Sequence, residues 1–113
     1  MNTAITISAE HLTLVRNILH KYLPPNAKVW IFGSRAGGTV KQYSDLDLAI
    51  DISVPLSFEQ SANLKEAFIE SDLPYKVDIV DWQAITDSFR EIIRQNGIVI
   101  SQQGDNPYGK ATS

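Results

Sequence analysis

The spacing of apolar residues predicts a helix and a strand in the first part of the chain. Between Ser8 and Tyr22 the apolar positions recur every three or four residues, which predicts an amphipathic helix with Ser8 as its N-cap. The Pro-Pro-Asn run at 24–26 ends this helix. The β-rich run from Lys28 to Phe32 predicts a short buried strand, and a turn with three glycines follows at 33–38.

The second part of the chain repeats this alternation. Leucine and isoleucine alternate with aspartate and alanine over 45–51, which is the period of a strand. A capping box at Ser57–Gln60 predicts a helix through about Ser71. The remaining predicted elements are a strand at Lys76–Trp82, a helix capped by Thr86 or Asp87 that ends at Gly97, and a short strand at Ile98–Ile100.

This order of elements predicts a fold of the α/β (α+β) class. We expect one small mixed sheet of three or four strands flanked by helices. A length of 113 residues is that of one domain. We assign the domain to residues 1–101 and expect the polar segment 102–113 to be a flexible C-terminal tail.

Composition excludes several classes of protein. The longest apolar run, Val29–Phe32, is four residues, whereas a membrane helix needs about twenty. The N-terminus has no basic start or long apolar stretch, and the chain has no cysteine, so we expect a cytoplasmic protein without disulfides or thiolate chemistry. A net charge of −3 argues against direct binding of nucleic acid.

Three aspartates form the candidate chemical centre. Asp45 and Asp47 are two residues apart at the start of a predicted strand and therefore point to one face, and Asp78 lies near the start of the next strand. Like charges on one face cost stability unless a cation neutralises them. Carboxylate oxygens are the ligands that Mg²⁺ prefers, and three of them on adjacent strands commonly hold two ions.

The glycine-rich turn supplies a candidate phosphate site. Gly33 allows a sharp turn and a close approach of the backbone to a ligand, and Ser34 offers a hydroxyl and an N–H group. Arg35 and Lys41 can add charge-assisted hydrogen bonds.

Together these residues resemble a known family. Gly33-Ser34, ten residues and then Asp45-Leu46-Asp47 form the pattern GSx10DxD of the nucleotidyltransferase superfamily that includes DNA polymerase beta. The chain looks most like its minimal form, the MNT proteins found beside small helical HEPN proteins. The resemblance covers about Lys28 to Asp81, nearly half of the chain. Gly37 departs from it, because many relatives carry a basic residue there.

The resemblance implies specific roles for individual residues. Asp45, Asp47 and Asp78 would be the catalytic and metal-binding residues, with two Mg²⁺ ions. The nucleotide-binding residues would be Gly33, Ser34, Arg35, Lys41 and Ser44. Lys41 would keep the positive charge that relatives often carry as arginine, without the bidentate fork of that side chain.

The resemblance also implies a reaction and a partner. The chain would transfer a nucleoside monophosphate, AMP from ATP in the leading interpretation, to a tyrosine of a cognate HEPN RNase toxin, and would thereby act as its antitoxin. We expect a hetero-oligomer with that toxin, with a homodimer as an alternative for the chain alone. Two other hypotheses remain open: an antitoxin that neutralises its partner by binding alone, and a two-metal phosphohydrolase.

Several other features are expected to be structural. The run Gly104–Ala111 resembles a P-loop but lacks the final Ser or Thr and the room for a helix. His11 and His20 lack metal-ligand spacing and are expected on the surface. Asp51 and Asp81 are expected to be exposed carboxylates at strand ends, with a supporting contact to a site residue as the alternative. The aromatic residues expected near the third strand are Tyr75, Trp82 and Phe89.

Overall fold

The computed structural model describes residues 7–33 and 45–101, apart from the side chain of Ser101. Ser34, Arg35, Gly37, Lys41 and Ser44 lie outside these ranges, as does the segment 102–113 with its P-loop-like run. The elements are α1 (Ala9–Tyr22), β1 (Lys28–Phe32), β2 (Leu46–Asp51), α2 (Phe58–Ile69), β3 (Val77–Asp81), α3 (Asp87–Asn96) and β4 (Ile98–Ser101).

The predicted class and order of elements are confirmed, and small differences occur at two element ends. α2 ends at Ile69 rather than at about Ser71, since Glu70 is its C-cap. β3 ends at Asp81, because the Asp81 side chain caps a short 3₁₀ turn that begins at Trp82. The predicted N-caps of α1 and α2 are present, and Thr86 rather than Asp87 caps α3.

The strands form one mixed sheet in the order β3-β2-β1-β4. β1 pairs antiparallel with both β2 and β4, whereas β2 and β3 are parallel. Parallel neighbours need a crossover connection, and α2 supplies it between β2 and β3. The register places Asp47 beside Phe32 on one side and beside Asp78 on the other.

One face of the sheet packs on α1 and α2 and forms the main core. Side chains of all four strands contribute to it, together with Val15 and Leu19 of α1 and Leu64 and Phe68 of α2. The side chains from α1, α2 and β2 are almost completely buried, whereas those that β3 contributes are partly buried. None of the helices within the described ranges is long and apolar enough to cross a membrane.

α3 packs on part of the opposite face. Trp30 of β1 stacks on Trp82 with ring centroids 4.1 Å apart, and Ile93 of α3 completes this second cluster. Phe89 of α3 packs edge-on against Phe32, at a centroid distance of 5.6 Å. The aromatic cluster therefore ends at Phe32, which is the strand neighbour of Asp47.

Candidate active site

Three aspartates lie at one end of the β2–β3 pair, and we call this group the acidic end: Asp45, Asp47 and Asp78. Asp45 directly precedes β2, Asp47 is its second residue, and Asp78 is the parallel partner of Asp47 on β3. The Leu46 N–H donates to the Lys76 carbonyl oxygen at 2.9 Å, which fixes the start of this register. Paired residues of adjacent strands share a face, so all three carboxylates belong to the face on which α3 packs.

Asp47 has the least favourable environment for a negative charge among the three carboxylates. It is half-buried, whereas Asp45 is exposed. Burial raises the pKa of Asp47 above its ordinary value of 3.8, and the charges of Asp78 and Asp45 raise this pKa further. The ionised carboxylate is thus held in an unfavourable environment, which a bound cation would relieve.

Lys76 is a neighbour that the sequence analysis missed. Its Nζ lies 3.6 Å from Asp78 Oδ1, and both side chains are partly in solvent, with 73% and 44% of their surfaces exposed. Within the described residues this is the one ion pair that reaches the acidic end. The signal was present in the sequence, because residues two apart on a strand point to the same face.

The three carboxylates are neighbours but do not form a closed ligand shell. Within 7–33 and 45–101, no three His, Cys, Asp or Glu side chains are grouped as a metal ion would require. Two forces keep them apart: the carboxylates repel one another, and Lys76 attracts Asp78. Their chemistry nevertheless fits Mg²⁺, since hard oxygen donors with uncompensated negative charge stand on one face.

Gly33, the residue that follows β1, lies against Asp47. Its φ is +79°, a conformation that side chains of L-residues rarely adopt. A Cβ added here would overlap with Asp47 Oδ2. Glycine is therefore required at this position both by its backbone conformation and by the close approach of the carboxylate.

The structure brings together four of the eight sequence-predicted site residues: Gly33, Asp45, Asp47 and Asp78. The other four, Ser34, Arg35, Lys41 and Ser44, lie outside the described residues, so their predicted roles stay predictions.

Asp51 and Asp81, at the other end of the same two strands, have structural roles; we call this pair the capped end. Asp51 Oδ1 accepts hydrogen bonds from Ser53 N (2.8 Å) and Gln83 Nε2 (3.1 Å). Asp81 accepts from Leu56 N and Gln83 N, each at 3.0 Å. Both are half-buried rather than fully exposed.

The histidines and aromatic residues differ in part from expectation. His20 is exposed as predicted, but His11 is half-buried and its Nδ1 lies 3.2 Å from the Tyr75 hydroxyl. Tyr75 and Trp82 are buried in the two cores and are not open to a nucleotide base. Phe32, which the sequence analysis did not select, is the aromatic residue beside the acidic end.

Comparison with known proteins identifies the class. The family described as polymerase beta, nucleotidyltransferase matches residues 15–106, which is most of the chain. The chain therefore belongs to this family of nucleotidyltransferases.

One curated relative is considerably more similar in sequence than the solved structures are. The chain is 50% identical over 99 residues to the probable protein adenylyltransferase MntA of Haemophilus influenzae, covering 88% of this chain and 86% of that protein.

Solved structures share the fold at low sequence identity. A toxin–antitoxin structure with AMP-PNP matches with a TM-score of 0.69 at 22% identity, covering 80% of this chain and 73% of the other. The MNT antitoxin complex with a tri-AMPylated HEPN toxin of Shewanella oneidensis matches with a TM-score of 0.63 at 19% identity, covering 82% and 71%.

Proposed function

We propose that this chain is a protein adenylyltransferase that transfers AMP from ATP to a HEPN-type toxin and thereby acts as its antitoxin. The observation that carries the proposal is the acidic end itself, with three carboxylates on one face and Gly33 packed against Asp47. The similarity to the probable adenylyltransferase MntA supports the activity. The shared fold with antitoxins in complex with AMP-PNP and with an AMPylated toxin supports the nucleotide and the partner.

The reaction is an in-line transfer. The oxygen of an acceptor hydroxyl, a tyrosine in this proposal, attacks the α-phosphorus of ATP, and the bond from that phosphorus to the bridging oxygen breaks. Diphosphate leaves, and the hydroxyl proton passes to the Asp78 carboxylate. Catalysis then depends mainly on positioning and on stabilising charge.

The acidic end also provides the metal ligands in this proposal. Asp45 and Asp47 would hold the ion associated with the triphosphate, and Asp78 would join them in holding a second. Two Mg²⁺ ions, when bound, neutralise the leaving diphosphate and make the acceptor hydroxyl more acidic. Asp47 is held ready as a ligand because burial and like charges leave its ionised form poorly stabilised without a cation.

The glycine-rich turn binds the phosphates in this proposal. Gly33, Ser34 and Arg35 hold the triphosphate, and Lys41 and Ser44 add contacts from the far end of the same segment. A hydrogen bond to a charged group contributes about 1.5–3 kcal/mol, so Ser34→Ala should raise the KM for ATP more than it lowers kcat. An unchanged KM would leave Ser34 as a turn residue only.

Binding without catalysis is the competing function, and the acidic end argues against it. A protein that only blocks its partner gains nothing from a half-buried Asp47 whose pKa is raised by two other carboxylates. A phosphohydrolase is also disfavoured, because it has no need of the glycine turn that contacts Asp47.

We also propose a domain organisation, an oligomeric state and a cellular location for this protein. Residues 1–101 would be the catalytic domain and 102–113 a tail outside it. The working state would be a hetero-oligomer with the toxin, located in the cytoplasm, where ATP is available.

Mass spectrometry of both proteins tests the function directly. The chain is incubated with its cognate HEPN-type protein, Mg²⁺ and each nucleoside triphosphate in turn. The expected result is a mass gain of one or more AMP units on the partner, with ATP and not without Mg²⁺, and its loss when the acceptor tyrosine is changed to Phe. Neutralisation of the toxin with no mass gain would establish the binding-only antitoxin instead.

A further inference from the structure

The outer edge of β3 has backbone hydrogen-bonding groups that no other strand of the described residues pairs with. β3 is the first strand in the sheet order and has β2 as its single neighbour within the described part of the chain. The Lys76 carbonyl bonds to β2, and successive residues of a strand direct their backbone groups to opposite sides. The N–H and C=O groups of Val77 and Ile79 therefore point away from the sheet. An additional strand could pair with these groups.

An apolar groove runs beside this edge. It has a volume of about 580 Å³ and lies between the C-terminal half of α2, the segment that follows it and β3. Its apolar lining consists of Phe68, Ile69, Leu73, Pro74, Val77 and Ile79. Ile69 is 82% exposed, so its side chain is available for contact with another molecule.

The groove is continuous with the acidic end. Asp78 and Lys76 line it together with the apolar side chains. Side chains alternate along β3, so Val77 and Ile79 face the groove side of the sheet while Asp78 faces the acidic side. One edge thus offers an apolar groove on one face of the sheet and a candidate catalytic carboxylate on the other.

We propose that this edge is the docking site for the acceptor, which binds as an extended polypeptide segment and adds a fifth strand beside β3. The inference rests on the proposed function and specifies how the protein substrate is presented. A docked strand places alternate side chains on opposite faces. The residue carrying the acceptor hydroxyl lies beside Asp78, and its two neighbours place apolar side chains in the groove. The substrate class is therefore an extended segment in which apolar residues flank the hydroxyl-bearing one.

A second copy of this chain is a less suitable occupant. If the Val77 and Ile79 of a second copy filled the groove, its Asp78 would stand opposite the first Asp78. That position is already crowded with negative charge, as the raised pKa of Asp47 indicates. Like charges directly opposite on neighbouring strands are destabilising.

Two exposed residues of α2 make a matched pair of variants. Ile69 lines the groove, whereas Phe58, 89% exposed, lies at the opposite end of the same helix and does not line it. We expect Ile69→Ser to raise the KM for the acceptor protein about tenfold or more, since burial of an aliphatic side chain is lost. The KM for ATP and kcat should stay unchanged, and Phe58→Ser should leave all three constants within about twofold of the wild type.

Residue-resolved hydrogen exchange provides a measurement that needs no variant. The amides of Val77 and Ile79 should become protected when the acceptor protein binds. Exchange at Ile92, an exposed residue of α3 that does not line the groove, should not change. Unchanged exchange at Val77 and Ile79 in an active complex would overturn the inference.

The outcomes separate this inference from the proposed function. If the wild-type chain transfers no AMP under any condition, the proposed function itself fails. If it transfers AMP but Ile69→Ser behaves like Phe58→Ser, the docking site is wrong and the activity stands. Protection of the two amides in the chain alone, together with sedimentation as a dimer, would assign the edge to self-association instead.

Discussion

Aspartate side chains lie at both ends of the β2–β3 pair, but their surroundings differ. At the capped end, Asp51 and Asp81 each accept two hydrogen bonds, from backbone or amide N–H groups. At the acidic end, no described residue donates a hydrogen bond to Asp45 or Asp47, and Asp78 pairs with Lys76 at 3.6 Å, with most of the lysine side chain in solvent. The same residue type therefore stabilises the fold at one end and, among the described residues, is only weakly compensated at the other.

This difference distinguishes aspartates that stabilise the fold from aspartates that are available to a ligand, without reference to any related protein. A carboxylate whose oxygens are occupied by the chain's own donors has no capacity left for a ligand. A half-buried carboxylate without such donors is a cost to the folded state, and such a group is suited to binding a cation or a substrate. Five experiments test this difference between the two ends.

Loss of one charge at the acidic end should have the largest effect on activity. For Asp47→Asn, and equally for Asp45→Asn, we expect transfer to fall about 10³-fold or more, because a metal ligand is lost. The metal-free variant should be as stable as the wild type or slightly more stable, since a repulsive charge is removed. Initial rates at saturating Mg²⁺ and thermal unfolding check both; a near-wild-type rate for Asp47→Asn contradicts the assignment.

Gly33→Ala should damage both stability and activity. The positive φ and the overlap of a new Cβ with Asp47 Oδ2 should together cost about 1–3 kcal/mol in the free energy of unfolding. Because the carboxylate must move, transfer should also fall.

Gly97→Ala is the control for this variant. Its added Cβ would approach the carbonyl oxygens of Ile93 and Ile31 rather than an aspartate, so it should lower stability alone. Urea unfolding and transfer rates distinguish the two variants, and an active Gly33→Ala protein would refute the close contact with Asp47.

Removal of a carboxylate at the capped end should affect stability alone. Asp81→Ala leaves the N–H groups of Leu56 and Gln83 without their acceptor, which should cost about 1–2 kcal/mol in the free energy of unfolding. The rate of transfer per folded molecule should not change. Asp87→Ala, whose side chain is 99% exposed, is the control and should cost much less.

The raised pKa of Asp47 predicts that the stability of the fold depends on pH. Since the folded state binds this proton more tightly than the unfolded state does, Asp47 becomes less destabilising as pH falls through its folded pKa, and the gain is complete below its ordinary value of 3.8. The difference in Tm between metal-free wild type and Asp47→Asn should therefore shift in favour of the wild type on acidification. A difference independent of pH would contradict this.

Lys76→Met should have the smallest effect. Removal of the ammonium that pairs with Asp78 should tighten binding of Mg²⁺ or Mn²⁺ about threefold, because a partly exposed ion pair contributes modestly. Lys65→Met is the control, since Lys65 lines the same groove without an ion pair to the described carboxylates. Titration calorimetry measures both, and weaker binding by Lys76→Met would show that Lys76 does not compete with the metal.

The sequence was sufficient for most of the fold because its local signals agree with one another. The Ser57 capping box, the alternation in β2 and Gly97 at the end of α3 all mark elements that the structure contains. The end of α2 was less predictable, since no strong stop signal stands there and Glu70 ends the helix in an ordinary αR conformation.

The sequence was less informative about the environment of each side chain. It predicted which aspartates share a face, but not that Gly33 contacts Asp47, because that contact depends on the register of β1 against β2. The roles of Asp51 and Asp81 depend in the same way on a loop and a 3₁₀ turn that bring N–H groups to them. The His11–Tyr75 contact joins distant segments, which periodicity within one helix cannot reveal.

The crossover through α2 determines when the acidic end can form during synthesis and folding. Asp47 and Asp78 become neighbours only after α2 and β3 have left the ribosome and β3 has paired in parallel with β2. Pairings across long sequence separations form slowly, and this one also has to bring like charges together. A nascent chain would therefore lack the acidic end until late in its synthesis, and higher Mg²⁺ or salt during refolding should accelerate its assembly.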